Sequence, residues 1–248
     1  MRWPDGYDRI VLNEVDSTMA EAARRAPALA GPAWVLALAQ TAGRGRRGRP
    51  WVMPKGNFAA TLVLRPTEAP GQVALRSFVA SLALYDAFVA VTGRTGGLAL
   101  KWPNDVLLNG GKVAGILLES LGTGQGVAHL AIGIGVNLAA APGAEELEPG
   151  AVRPVSLVAE TGTAVTPEDF LTALALAYAD WEARFVTYGF GPVRTAWLSR
   201  AARLGAVITA RTGTTETTGS FETVDDTGNL VLKTPKGRVA IAAADVFF

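Results

Sequence analysis

Apolar and polar positions along this chain switch between two periods, and the switches mark the predicted elements. Residues Tyr7 to Val15 read as a first strand, and Asp16 to Arg25 as a helix entered through Thr18-Met19-Ala20-Glu21, which matches a capping box. Trp34 to Ala39 is an apolar run short enough to be a buried strand, and Phe58 to Leu64 returns to strand character. Between them, Thr41 to Asn57 has no period and carries Gly, Pro and Arg. Loops that long inside a compact domain are usually functional or disordered. Gln72 to Val91 is alanine-rich with apolar residues at helical spacing, predicting one long helix. Strands follow at Leu98 to Lys101, Asp105 to Leu108 and Lys112 to Leu121, the last two joined by the hairpin signal Asn109-Gly110-Gly111. Val127 to Leu138 reads as another strand, Ala139 to Val152 as a loop, and Thr166 to Tyr188 and Pro192 to Arg200 as helices.

After Leu204 the texture changes to short Thr- and Val-rich runs broken by Gly213, Gly219, Asp226-Thr227-Gly228-Asn229 and Lys236-Gly237. Such spacing predicts a small β-barrel. The fold expected is α+β: a mixed or antiparallel sheet with helices over residues 1–202, then a small barrel over 203–248. A chain of 248 residues suits one main domain with a satellite, since single cores stop growing near roughly 250 to 300 residues.

Composition narrows the chemistry. Hydrophobic residues make up 49%, enough for a core without covalent help. There is no cysteine, which removes disulfides, thiolate metal sites and a thiol nucleophile together. One histidine, His129, is present and reads as structural, so a histidine metal cluster is not expected. The N-terminal run lacks a signal or transit pattern, and no apolar run approaches the roughly 20 residues of a membrane span, so a cytoplasmic protein is expected. With 23 basic and 22 acidic residues the net charge is +1, so anion recognition has to be local.

Local density of charge appears in Gln40-Thr41-Ala42-Gly43-Arg44-Gly45-Arg46-Arg47-Gly48-Arg49-Pro50-Trp51, where glycines alternate with arginines. Glycines let backbone N–H groups approach a ligand, and arginines present planar forks that match phosphate or carboxylate oxygens. A solvated basic loop touching nucleic acid is the alternative reading. Next, Lys101-Trp102-Pro103-Asn104-Asp105 places a cation at a strand end before a turn, where a lysine can stabilise charge developing on phosphate; an ordinary turn with a surface lysine is the alternative. Lys112 directly follows the glycine turn in Gly111-Lys112-Val113-Ala114-Gly115, and Gly133-Ile134-Gly135-Val136-Asn137 sets glycines in a strand. Strand glycines mark a bulge, a close approach or tight layer packing.

In this order these segments resemble the catalytic domain of biotin-protein ligases, through Asp16-Ser17-Thr18-Met19, Gly43 to Arg49, Lys101 to Asp105, Gly111 to Glu119 and Gly133 to Asn137. The resemblance implies a biotin/lipoate ligase-like fold followed by an SH3-like barrel. It places biotin against Ser17, Thr18, Met19, Gln40, Gly43, Arg44, Gly45, Arg46, Trp51, Lys101 and Gly115. It places ATP near Arg44, Arg46, Arg47, Arg49, Trp51, Asn104, Lys112 and Asn137, with Lys101 and Arg46 as the catalytic pair. No protein metal site is implied, Mg²⁺ being held mainly by ATP phosphates. The implied reaction makes biotinyl-5′-AMP and then biotinylates a lysine of a biotin carboxyl carrier protein, and the loop Ala139 to Val152 orders over the adenylate. Met19 departs from the family pattern, which has asparagine there. Few residues precede the first motif, so DNA binding through an N-terminal winged helix is not expected, nor is membrane association; a monomer or homodimer is. A lipoate or octanoate ligase and a non-catalytic nucleic-acid module are the alternatives.

Overall fold

The computed structural model describes residues 2–121, 127–143 and 152–248. Seven strands build the main sheet: β1 (Asp8–Leu12), β2 (Ala33–Ala37), β3 (Phe58–Leu64), β4 (Leu98–Lys101), β5 (Asp105–Leu108), β6 (Gly111–Leu121) and β7 (His129–Val136). Their order is β1-β2-β3-β7-β6-β5-β4; β1 and β2 run parallel and every other neighbouring pair is antiparallel. Asn109 and Gly110 both adopt left-handed backbone (φ 50 and 80), which is what a tight turn between β5 and β6 requires.

Because side chains alternate across a strand, the central strands have two distinct faces. On one, Phe58, Ala60 and Leu62 of β3, Ile132, Ile134 and Val136 of β7, and Ala114 and Ile116 of β6 join the main core. Helices α3 (Arg76–Thr92) and α5 (Pro167–Tyr188) cover that face. Phe170 meets Phe58 and Phe88 edge-on or tilted at 5.2 Å between ring centres, and Trp34 meets Tyr178 at 5.9 Å. Thr166 caps α5 by accepting from the Asp169 N–H, just before Pro167 at the first helical position. The other face carries Ala59, Thr61, Gly115, Gly133 and Gly135, with Ala22 of the small helix α1 (Thr18–Arg25) and Ala26 just after it packing on Val63 at one side.

Strands β8 (Val207–Thr212), β9 (Thr215–Val224), β10 (Leu230–Thr234), β11 (Gly237–Ile241) and β12 (Asp245–Phe247) form a second, antiparallel sheet in the order β11-β10-β9-β8-β12. It is fastened to the first part of the chain through α6 (Phe190–Leu198), where Trp197 packs near Phe221 and Phe78. The Trp102 indole N–H also donates to Gly228 O at 3.0 Å.

Three expectations change. Helix α1 is capped by Ser17, whose hydroxyl accepts from Met19 N; Glu21 instead pairs with Arg24 and Arg25, so Thr18 does not lead a capping box. The single helix expected over Gln72 to Val91 is two, α2 (Pro70–Ala74) and α3, with Leu75 between them. A short helix α4 (Leu157–Thr161), capped by Ser156, was not foreseen. The segment Pro70–Thr92 is also long and apolar enough to cross a bilayer by length and composition. Its Val79, Leu82, Ala83 and Ala87 are wholly buried in the core, so its apolar character serves packing here.

Candidate active site

On the sheet face away from α3 and α5, β6 and β7 bring Gly115 and Gly135 directly opposite one another. A Cβ on Gly135 would lie 2.3 Å from Cε2 of Trp51, and one on Gly115 would meet the same ring at 3.4 Å. The indole thus rests on Gly135, where only glycine leaves room for it, while a Cβ at Gly115 would make ordinary contact with the ring. Two pairs further along, Gly133 faces Thr61 and Leu117, and a Cβ there would sit 2.7 Å from the methyl of Met19. Together these residues line a cleft of about 660 Å³.

One end of the cleft is polar and neutral. Thr61 donates its hydroxyl to Thr18 Oγ1 at 2.9 Å, and the Gln40 side-chain oxygen accepts from Thr18 N at 2.7 Å. Thr18 is 4% exposed and Ser17 9%, so these hydrogen-bonding groups are fixed and withdrawn from bulk water. Gly43 holds the loop's near end: Trp51 N donates to its carbonyl, and a Cβ would strike Gln40 Nε2 and Trp51 O at 2.8 Å.

The other end is cationic. Asp105 lies between two lysines, 2.7 Å from Lys112 Nζ and 3.8 Å from Lys101 Nζ. Lys112 reaches over the Trp51 ring at 5.8 Å, and Lys101 over the Phe248 ring at 5.8 Å. Burial pulls Lys101 below the ordinary lysine value; Asp105 works against this, Lys112 with it, Asp245 against and Arg46 with it. Arg46 donates to Asn104 Oδ1 at 3.2 Å and Ala244 O at 3.4 Å, while Asn104 Nδ2 donates to Ile116 O. Arg47 and Arg49 turn to Asp245 on β12, at 2.6 and 3.3 Å. Asn137 is buried, donating to Val155 O.

Of the residues singled out from sequence, Ser17, Thr18, Met19, Gln40, Arg44, Gly45, Arg46, Arg49, Trp51, Lys101, Asn104, Lys112, Gly115 and Asn137 all line this cleft. Gly43 and Arg47 do not; the first shapes the loop and the second faces Asp245. Four residues that matter to the geometry were missed. Thr61 hides in an apolar strand, Asp105 is read only as the end of a turn and the start of a strand, and Asp245 has its partners nearly two hundred positions away. Asn57 is 1% exposed and grips the backbone of Ala139 and Ala140 with both side-chain atoms. His129 accepts from Arg65 at the start of β7 and stands apart from the cleft.

Residues 11–137 match the model of the biotin/lipoate A/B protein ligase family, and residues 204–248 that of the biotin protein ligase C terminal domain. The chain belongs to the biotin protein ligases of this family. It is 63% identical over 238 residues to the biotin–[acetyl-CoA-carboxylase] ligase of Paracoccus denitrificans, covering 96% of this chain and 99% of that one. Its fold is similar to that of the Aquifex aeolicus biotin protein ligase in complex with biotin and ATP (TM-score 0.84, 25% identity, 96% of this chain and 98% of the other). The Leishmania major biotin protein ligase in complex with biotinyl-5-AMP is also similar, with TM-score 0.67, 25% identity and coverage of 97% and 100%.

Proposed function

We propose that this protein is an ATP-dependent biotin-protein ligase that activates biotin as biotinyl-5′-AMP and transfers it to a lysine of a biotin carboxyl carrier protein. The observation that carries the reading is the Trp51 ring seated on Gly115 and Gly135, with Lys112 over its face and Lys101 beyond Asp105. An apolar slot with neutral hydrogen-bonding groups at one end and cations at the other matches an acid whose carboxylate must meet a phosphate.

Biotin lies along the glycine floor, its polar ring toward Ser17, Thr18, Gln40 and Thr61 and its carboxylate toward Lys112 and Lys101. The ATP phosphates lie against Arg44, Arg46, Arg47, Arg49 and Asn104, with Asn137 and Trp51 beside the nucleotide. A carboxylate oxygen bonds to the α-phosphorus as the bond to the β-phosphate oxygen breaks, and pyrophosphate leaves. The acceptor amine then attacks the acyl carbon, AMP departs, and the amide nitrogen loses its proton. No side chain forms a covalent intermediate, which suits a chain without cysteine. The lysines and Arg46 stabilise charge that builds on the phosphate, and the slot aligns the reacting atoms.

Bound Mg²⁺ would supply charge neutralisation on the triphosphate. Asp105 and Asp245 are the carboxylates lining the cleft among the described residues, and both are paired with basic side chains, so the ion would be held mainly by ATP. We assign the catalytic unit to residues 1–202 and the barrel to 203–248, and expect a cytoplasmic monomer or homodimer without DNA or membrane attachment. Pro142, Gly143 and Val152 line the cleft, and the rest of the loop expected to order over the adenylate, residues 144–151, lies outside the described residues.

Pyrophosphate exchange into ATP tests the reading. Exchange that depends on biotin supports it; dependence on lipoate instead assigns the chain to the lipoate branch. With neither acid effective, an enzyme of this kind is refuted.

A further inference from the structure

We propose that Asp105 is a positioning residue for adenylation: its carboxylate holds Lys101 and Lys112 together as one divalent cationic clamp. The inference rests on the biotin ligase reading of the same cleft.

The problem Asp105 answers is electrostatic. Lys101, Lys112 and Arg46 converge on the same end of the cleft, where like charges repel. Lys101 is only 8% exposed, and burial favours its neutral form. The groups facing it are Asp105 from β5, Lys112 from β6, Arg46 from the loop and Asp245 from β12, together with the Phe248 ring. Asp105 is the carboxylate that touches both lysines, with one oxygen 2.7 Å from Lys112 and the other 3.8 Å from Lys101. Asp245, in contrast, is engaged by Arg47 and Arg49.

The backbone of Asp105 is independently fixed. It pairs with Lys101 across β4–β5 and with Gly115 across β5–β6, so the ladder sets the carboxylate beside the glycine floor. Replacing one carboxylate oxygen by an amide leaves that ladder intact while removing the charge. Without it, Lys101 loses the main interaction that keeps it protonated, and Lys112 loses the partner that holds its ammonium in place. Asp105 need not touch biotin or ATP to act; it sets where two cations stand and keeps one of them charged.

The test is Asp105→Asn in the full chain, assayed by biotin-dependent ATP–pyrophosphate exchange across pH 6 to 10, with melting temperature measured alongside. The expected result is a fall in kcat on the order of 10- to 100-fold at neutral pH. The alkaline limb of kcat should also move to lower pH by about one unit or more. Asp105→Glu, which restores the charge, should return that limb towards the wild-type position. An unmoved pH profile overturns the proposal, whether the rate is unchanged, falls in step with stability, or is restored by raising magnesium. Absence of exchange in the wild-type chain would instead refute the ligase reading itself.

Discussion

The indole of Trp51 lies on Gly135 so closely that a Cβ there would come within 2.3 to 2.6 Å of three ring atoms. Gly135 is on a central strand and Trp51 on the arginine loop, so this contact sets the height of the loop above the sheet. Gly135→Ala should lift the ring and misplace the loop. Displacements of this order cost about 10²-fold in well-aligned reactions, so kcat/KM for biotin should fall by roughly that much. The backbone at Gly135 is not left-handed, and the melting temperature should change little. Parallel enzyme kinetics and thermal unfolding check the separation.

Lys101 is buried, which disfavours its charged form, and the proposed reaction uses that charge. Lys101→Met keeps the length of the side chain and removes the ammonium. Adenylate formation should fall on the order of 10²-fold, while stability at neutral pH is unchanged or improved. Since Lys101 binds its proton less tightly in the folded state, the unfolded chain holds more protons just below the ordinary lysine value. Wild-type stability should therefore rise with pH through that window, a slope that Lys101→Met removes. Equal loss of activity and melting temperature would make Lys101 structural.

Much of the architecture was legible before any coordinates. Strand β3 falls on Phe58–Leu64 as read, and the β5–β6 turn follows from Asn109-Gly110. Those features are local: a run of apolar residues or a left-handed turn is specified by its own sequence. Ser17 displaced Thr18 as the cap because Thr18 is drawn into hydrogen bonds with Gln40 and Thr61, which no local pattern reports. The arginines were visible as a cluster, but their partition was not. Arg46 turns inward to Asn104, whereas Arg47 and Arg49 find Asp245 on a strand at the far end of the chain. Thr61 was concealed by the apolar run around it, and strand alternation alone assigns it to the cleft.

Thr61 and Thr18 share one buried hydrogen bond at the neutral end of the slot. Thr61→Val preserves shape and leaves the Thr18 hydroxyl without that donor. The substitution should cost about 1 to 3 kcal/mol of stability. It should also raise KM for biotin by roughly tenfold, with kcat nearly unchanged, since the group acts on binding rather than on the phosphate. Denaturant unfolding and initial-rate kinetics measure both; an equal fall in kcat would place Thr61 in the chemistry.

Asp245 neutralises two arginines that ATP phosphates are proposed to use. Both arginines are about half exposed, so the pairs add little to stability. Asp245→Ala should leave the melting temperature within a few degrees, given pairs that contribute about 0 to 1 kcal/mol. It should lower KM for ATP several-fold at low salt and steepen its dependence on ionic strength. A KM that rises instead would mean that β12 organises the loop for ATP rather than competing with it.

In the proposed reaction the cleft joins a biotin carboxylate to the α-phosphate of ATP. Incubating the protein with biotin, ATP and Mg²⁺ without an acceptor, then measuring the mass of the bound small molecule, tests it most directly. The expected product is biotinyl-5′-AMP, retained by the wild type and lost on Lys101→Met. Recovery of unreacted biotin and ATP alone from the wild-type protein would contradict it.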